Sequence, residues 1–90
     1  MNQFSVKDPG MALAYITDCI LATVRDLASK KARSQSEFMR QKSIAQKAIN
    51  WMVEMNVDFS RTRAADVVNA GSVDAWAEKY DVKKSQGRAK

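Results

Sequence analysis

Between Gly10 and Gly71 the chain holds neither glycine nor proline. A stretch that long without backbone punctuation cannot make the many tight turns of a β architecture. It favours helices, whose interiors exclude both residues. The chain has three glycines, one proline and 90 residues in all, enough for one small domain. A chain of this size hides about 60–65% of its surface on folding, so its core is thin. At 46% hydrophobic residues it still has ample material for one.

The helices can be placed by their spacing. In "KDPGMALAYITDCILATVRDLASKK" Asp8 suits an N-cap, and Pro9 suits the first helical position, where its missing N–H costs nothing. Leu13, Ile16, Ile20, Val24 and Leu27 recur at helical intervals and form the expected core stripe. Asp26 and Lys30 stand four apart in the favourable order. In "SEFMRQKSIAQKAINWMVEMN" a second stripe comprises Phe38, Ala45, Ala48, Ile49 and Met52. Between them, "SKKARSQS" has no large apolar residue, and Ser34 with Glu37 has capping-box spacing. Two matched helices around a polar joint predict an antiparallel hairpin. The competing architecture is one continuous helix, since neither Gly nor Pro enforces a break.

Further on, Ser60 is a candidate cap for a short helix ending at Gly71, which suits a left-handed terminal position. Ser72 can cap a second one, with Val73, Trp76, Ala77 and Tyr80 on one side. The expected fold is therefore all-α: a long antiparallel helical hairpin plus two short C-terminal helices. Residues 1–82 form a single helical domain and 83–90 a basic flexible tail.

The residue inventory excludes most chemistry. There is no histidine, and the glycines stand apart, so no phosphate-cradling loop is encoded. Cys19 lies in an apolar helix without an activating base, which suits packing better than nucleophilic attack. Asp74 and Glu78 are simply explained as a solvated helix face, and the five methionines as filling in the core. No catalytic, cofactor or metal site is expected. A single cysteine permits no intrachain disulfide, and the Met11–Val24 run is too short and too polar to span a bilayer. A soluble cytoplasmic protein with no membrane partner is expected.

The net charge of +5 is uneven. Residues 25–47 carry seven bases against Asp26 and Glu37, residues 48–82 are acidic overall, and the tail carries four more bases. Such basic zones attract nucleic acid or acidic partners. Lys30, Lys31 and Arg33 fall at the expected hairpin tip, held out from the core. Arg40, Ile44, Lys47 and Trp51 form a mixed basic and apolar ridge along the second helix. Trp51 either receives the C-terminal helices as a core residue, which is the outcome expected of it, or anchors an interface. On the first helix Tyr15, Cys19 and Ala22 lie opposite the main stripe and form a possible homodimer face.

The segment "AEKYDVKKS" is similar to the first half of a helix-turn-helix. Ala77 suits its small position, Val82 its apolar one, and Asp81 stands where glycine is usual and would adopt the left-handed conformation. Gly87 falls where a buried anchor belongs, and the remaining residues make under two turns. Lys83, Lys84 and Arg88 can still touch phosphates without reading sequence.

The expected function is non-enzymatic. A small basic helical accessory protein would bind a larger macromolecular assembly that handles nucleic acid, and modulate or inhibit it. Phage and mobile-element accessory factors are often of this kind. The alternatives are a direct DNA-binding regulator with a degenerate C-terminal helix-turn-helix, and a structural or assembly oligomer.

Overall fold

A computed structural model describes residues 9–83, and four helices span most of them. Helix α1 runs Pro9–Ala28, α2 Gln35–Glu54, α3 Arg63–Ala70 and α4 Val73–Glu78. The two long helices pack on each other and the short pair closes over one side. The all-α hairpin with two short C-terminal helices is thus the architecture, and the single continuous helix is excluded. Asp8, the expected cap of α1, lies outside the described residues.

The reversal between α1 and α2 needs no glycine because side chains terminate both helices. Ser34 is the N-cap of α2, and its hydroxyl accepts from the Glu37 N–H at 3.2 Å. At the end of α1 the Arg33 guanidinium donates from Nη1 to the carbonyls of Ala28 at 3.0 Å and Lys30 at 3.1 Å, with Leu27 at 3.5 Å. Of these, the Ala28 carbonyl would otherwise be orphaned at the helix terminus, since Leu27 already accepts the Lys30 N–H at 3.1 Å. Because α1 stops at Ala28, Lys30 lies beyond the helix and out of register for the expected pair with Asp26.

Arg33 also bonds through Nη2 to both carboxylate oxygens of Asp81, at 3.2 and 3.3 Å, and its guanidinium carbon sits 4.3 Å from the centre of the Phe38 ring. Its side chain is only 3% exposed. The expected role for Arg33, a free base at the tip, is therefore corrected. The guanidinium is drawn inward because it is the one group here with enough donors to serve helix carbonyls and a carboxylate together.

On α2 the expected stripe is the observed one: Phe38, Ala45, Ala48, Ile49 and Met52 are buried. On α1 the stripe is rotated from expectation. Ala14, Thr17, Leu21, Val24 and Ala28 are buried, Leu13, Ile20 and Leu27 are half-buried, and Ile16 is exposed. Small residues let α2 approach closely, and the Thr17 hydroxyl is satisfied by the Leu13 carbonyl at 2.7 Å. Met52 is the only described methionine in the core, and Met11, Met39 and Met55 are exposed, against the expectation that they fill it.

The ends of the remaining helices follow local chemistry. After α2, Asn56 takes a left-handed conformation (φ 56°), and the Val57 N–H reaches the Met52 carbonyl at 2.9 Å. This is the helix-ending pattern that a residue tolerant of positive φ allows. Thr62, not Ser60, caps α3, because Asp58 holds the Ser60 N–H and hydroxyl in a turn of its own. Gly71 ends α3 at φ 105°, and Ser72 caps α4 through the Ala75 N–H, both as expected.

Side chains of the hairpin fasten the short helices. Asp18 accepts the Arg63 N–H at 2.8 Å and pairs with the Arg63 guanidinium at 2.7 Å. Gln46 accepts the Val73 N–H at 2.8 Å. Each thus satisfies an orphan donor at the start of a helix from across the fold.

Replacing Arg33 with Met should cost about 3–5 kcal/mol, since it strands a buried carboxylate and the Ala28 carbonyl. Arg33→Met with Asp81→Leu should recover part of that loss. Urea unfolding of both variants measures this, and a cost below about 1 kcal/mol for the single variant would exclude the central role given to Arg33.

Candidate functional site

With Arg33 inside, the basic residues left at the hairpin tip are Lys30 and Lys31. Both are exposed and enter no ion pair among the described residues. They sit beside the C-terminus of α1, whose partial negative charge steadies nearby cations. The same is true of exposure at Lys47, midway along α2. Arg40 is exposed and bonded to Glu37 at 3.0 Å. Hydrogen bonds from Gln41 and then Arg40 hold the Glu37 carboxyl below the ordinary carboxylate range. That pair therefore holds above the usual Glu titration and weakens as pH falls through the depressed value. Lys83 is exposed at the edge of the described region, and Lys84 and Arg88 lie outside it.

Trp51 is the main surprise on this surface. It is 59% exposed, and its neighbour Ile44 is 43% exposed. The core outcome expected for Trp51 is therefore corrected, as is the placing of α3 and α4 over this ridge. Helix α4 lands on the opposite flank of α2, where Gln46 bonds to Val73 and Lys42 pairs with Asp74 at 3.1 Å, and α3 packs on α1. The buried tryptophan is Trp76, at 1% exposure, with the Tyr80 ring edge-on at 5.2 Å between centroids. Arg40, Ile44, Lys47 and Trp51 thus form a continuous outward ridge of mixed basic and apolar character, at the spacing that puts residues on one helix face.

On α1, Tyr15 and Cys19 are exposed and Ala22 is half-buried. Neither short helix covers them. A groove of about 720 Å³ at the open end of the hairpin is lined by Met11, Tyr15, Met55, Val57 and Thr62, with Asp58 at its edge. Bonds from the Ser60 hydroxyl and then its N–H hold the Asp58 carboxyl below its ordinary value. Asp58 is thus committed to a turn.

No group of three potential metal ligands occurs among the described residues, and no described helix is long and apolar enough to cross a membrane. Asp74, expected on a solvated helix face, has a side chain 75% exposed and also bridges to Lys42, whose amine lies 4.3 Å from the Phe38 ring centre.

At the C-terminal segment, Asp81 does not take the left-handed conformation expected of it. Asn56 is the only non-glycine residue with positive φ among those described. Asp81 is buried against Arg33 and accepts the Lys83 N–H at 3.0 Å, so it starts a new helical segment at Val82. Sequence reasoning missed this second function of Asp81. The signal was an acid directly before "VKK", which is N-cap chemistry.

No family model matches the chain, and neither a curated protein nor a solved structure matches it.

The two tryptophans should respond oppositely to truncation. Trp76→Ala should cost about 3–5 kcal/mol or prevent folding. Trp51→Ala should stay within about 1 kcal/mol of the parent, as for other surface substitutions. Thermal and urea unfolding of the pair would check this, and a large loss for Trp51→Ala would place that ring in the core after all.

Proposed function

We propose that the protein is a non-enzymatic binding module: a small basic helical accessory protein that docks on a larger macromolecular assembly and modulates or inhibits it. The assembly is one that handles nucleic acid. The observation that carries this is the exposed ridge of α2, where Trp51 and Ile44 alternate with Lys47 and Arg40. A large ring left outside a thin core, flanked by bases, has the composition of an interface anchor and its polar surround. Lys30 and Lys31 at the tip extend the positive surface and steer the approach of an acidic or nucleic-acid-bearing partner.

A second possibility, direct DNA contact by the C-terminal segment, is favoured by one observation. The helix restarts at Val82 behind the Asp81 cap, with Val82 half-buried and Lys83 exposed.

The two separate by salt and by nuclease. Direct contact requires affinity for a bare duplex that falls steeply as salt rises. Docking on a protein assembly requires a complex with a defined protein that survives nuclease. Replacing Lys30 and Lys31 with Ser should leave stability within about 0.5 kcal/mol per site. It should weaken the complex most at low salt, where screening is least. Co-purification with and without nuclease, using the parent and the double variant, measures both effects. Full binding by the double variant at low salt would remove the tip from the interface.

A further inference from the structure

Helix α1 carries two apolar stripes, one buried in the core and one only partly covered by packing against it. The inner stripe is mostly small: Ala14, Thr17, Leu21, Val24 and Ala28. The outer one is large and uncharged: Leu13, Ile16, Ile20 and Leu27. Ile16 is 55% exposed, and the other three are half-buried. Ile16 and Ile20 each stand two residues from Asp18, which faces α3. At 3.6 residues per turn they therefore point to the opposite side of the hairpin. On α2, Ile44 and Trp51 are likewise turned about half a revolution from Lys42 and Gln46, which face α4. The short helices cover one side of the hairpin. Exposed Ile16, Ile44 and Trp51 lie on the other, while exposed Met39 lies on the covered side beside Val73.

We propose that this uncovered side is a self-association surface, and that its occupant is a second copy of the chain stacked antiparallel, hairpin on hairpin. The area suffices. Two adjacent helices of 20 residues each offer a face of about 30 by 20 Å. With side-chain relief that approaches the ~800 Å² per partner of a standard stable interface.

The charge pattern is complementary to itself. A two-fold axis between the layers, perpendicular to the helices, passes Ile20 on α1 and Lys47 on α2. These two positions lie within about one turn of each other along the hairpin, because the helices are of equal length and join over residues 29–34. About that axis Leu13 meets Leu27 of the second copy, Ile44 meets its Trp51, and Arg40 meets its Glu54. Arg40 and Glu54 are both exposed. The ion pairs fall on the rim around an apolar centre, which is the usual layout of an interface. The two Lys47 stems come side by side at the exposed rim, where their length lets the amines diverge. The result is a four-helix layer, with the α3–α4 pairs outside and the two basic tips at opposite ends.

The dimer buries the same α2 ridge that the partner proposed above would use, so the two associations exclude each other there, and the test measures the free protein alone. Sedimentation from low to high micromolar concentration should show a monomer–dimer equilibrium. Trp51→Asp and Ile16→Asp should each weaken it by at least about 30-fold while circular dichroism stays that of the parent, as loss of an interface anchor requires. Val68→Asp, at an exposed position of α3 on the covered side of the hairpin, should leave the dimer intact. Arg40→Glu and Glu54→Lys should each weaken association, and the double variant should regain it. Lys47→Ser should tighten the dimer at low salt, since it removes like charges beside the axis. A chain that stays monomeric throughout, or a dimer indifferent to both Trp51→Asp and Ile16→Asp, would overturn the proposal. So would a dimer broken by Val68→Asp, a double variant that fails to recover, or weakening by Lys47→Ser.

Discussion

The Arg33 guanidinium gathers three parts of the molecule into one contact. It closes the last carbonyls of α1, neutralises the buried Asp81 beyond α4, and lies over the Phe38 ring at the start of α2. The chain reverses at residues 29–34 without the glycine or proline that usually marks such a bend. An arginine can do this because its planar fork presents several donors in fixed directions, and its charge strengthens each bond in a dry site. Only its Nε, buried and without a partner, is left over. Asp81 in turn uses the same carboxylate to begin the next helical segment, so the hairpin turn and the C-terminal segment are mechanically linked.

The short helices depend on the hairpin in a related way. Eight and six residues are too few for helices that stand alone. Each is started by a side chain supplied from a long helix, Asp18 for α3 and Gln46 for α4. These bonds compensate the costly first turn, and burial of Val67, Val73 and Trp76 against the hairpin does the rest. The acid in the middle of the apolar α1 run is therefore a docking group. Its partner is 45 residues away, so no local spacing could reveal it.

Much of the fold was legible because local chemistry decided it. The α2 stripe, the Ser34 and Ser72 caps and the Gly71 terminus each follow from residues within one or two turns. The errors occurred where two local answers competed. On α1 the larger side chains marked the edge of the buried stripe and not its centre, since hydrophobic periodicity weighs Ile and Leu above Ala and Thr. Close packing between long helices rewards the small ones instead. The tryptophans show the same limit. Trp51 and Trp76 both sit among apolar neighbours, and only the direction from which α3 and α4 approach decides which ring is covered. Of the candidate site, Lys30, Lys31, Arg40 and Lys47 were legible as exposed bases. Arg33 was not, because its fate depends on Asp81, 48 residues away.

These misplacements share one physical cause, and it bears on function. A chain this short has one layer of small helices with which to cover a hairpin that is apolar on several sides. Folding satisfies the side where Asp18, Lys42 and Gln46 provide polar anchors for the covering helices. The other side has Ile16, Ile44 and Trp51 and, among the described residues, no equivalent anchors, so neither short helix covers it. Exposed large apolar residues that fall together on one face, and do not scatter singly, mark an interaction surface in a folded protein. Here the bases are distributed along the edge of that face and at the tip, where they keep the free protein charged and influence approach. In the association we propose, the apolar centre supplies the affinity once contact is made. Stability and binding would then fall on opposite sides of the same two helices, and substitutions on the uncovered side would alter association without disturbing the fold that presents it.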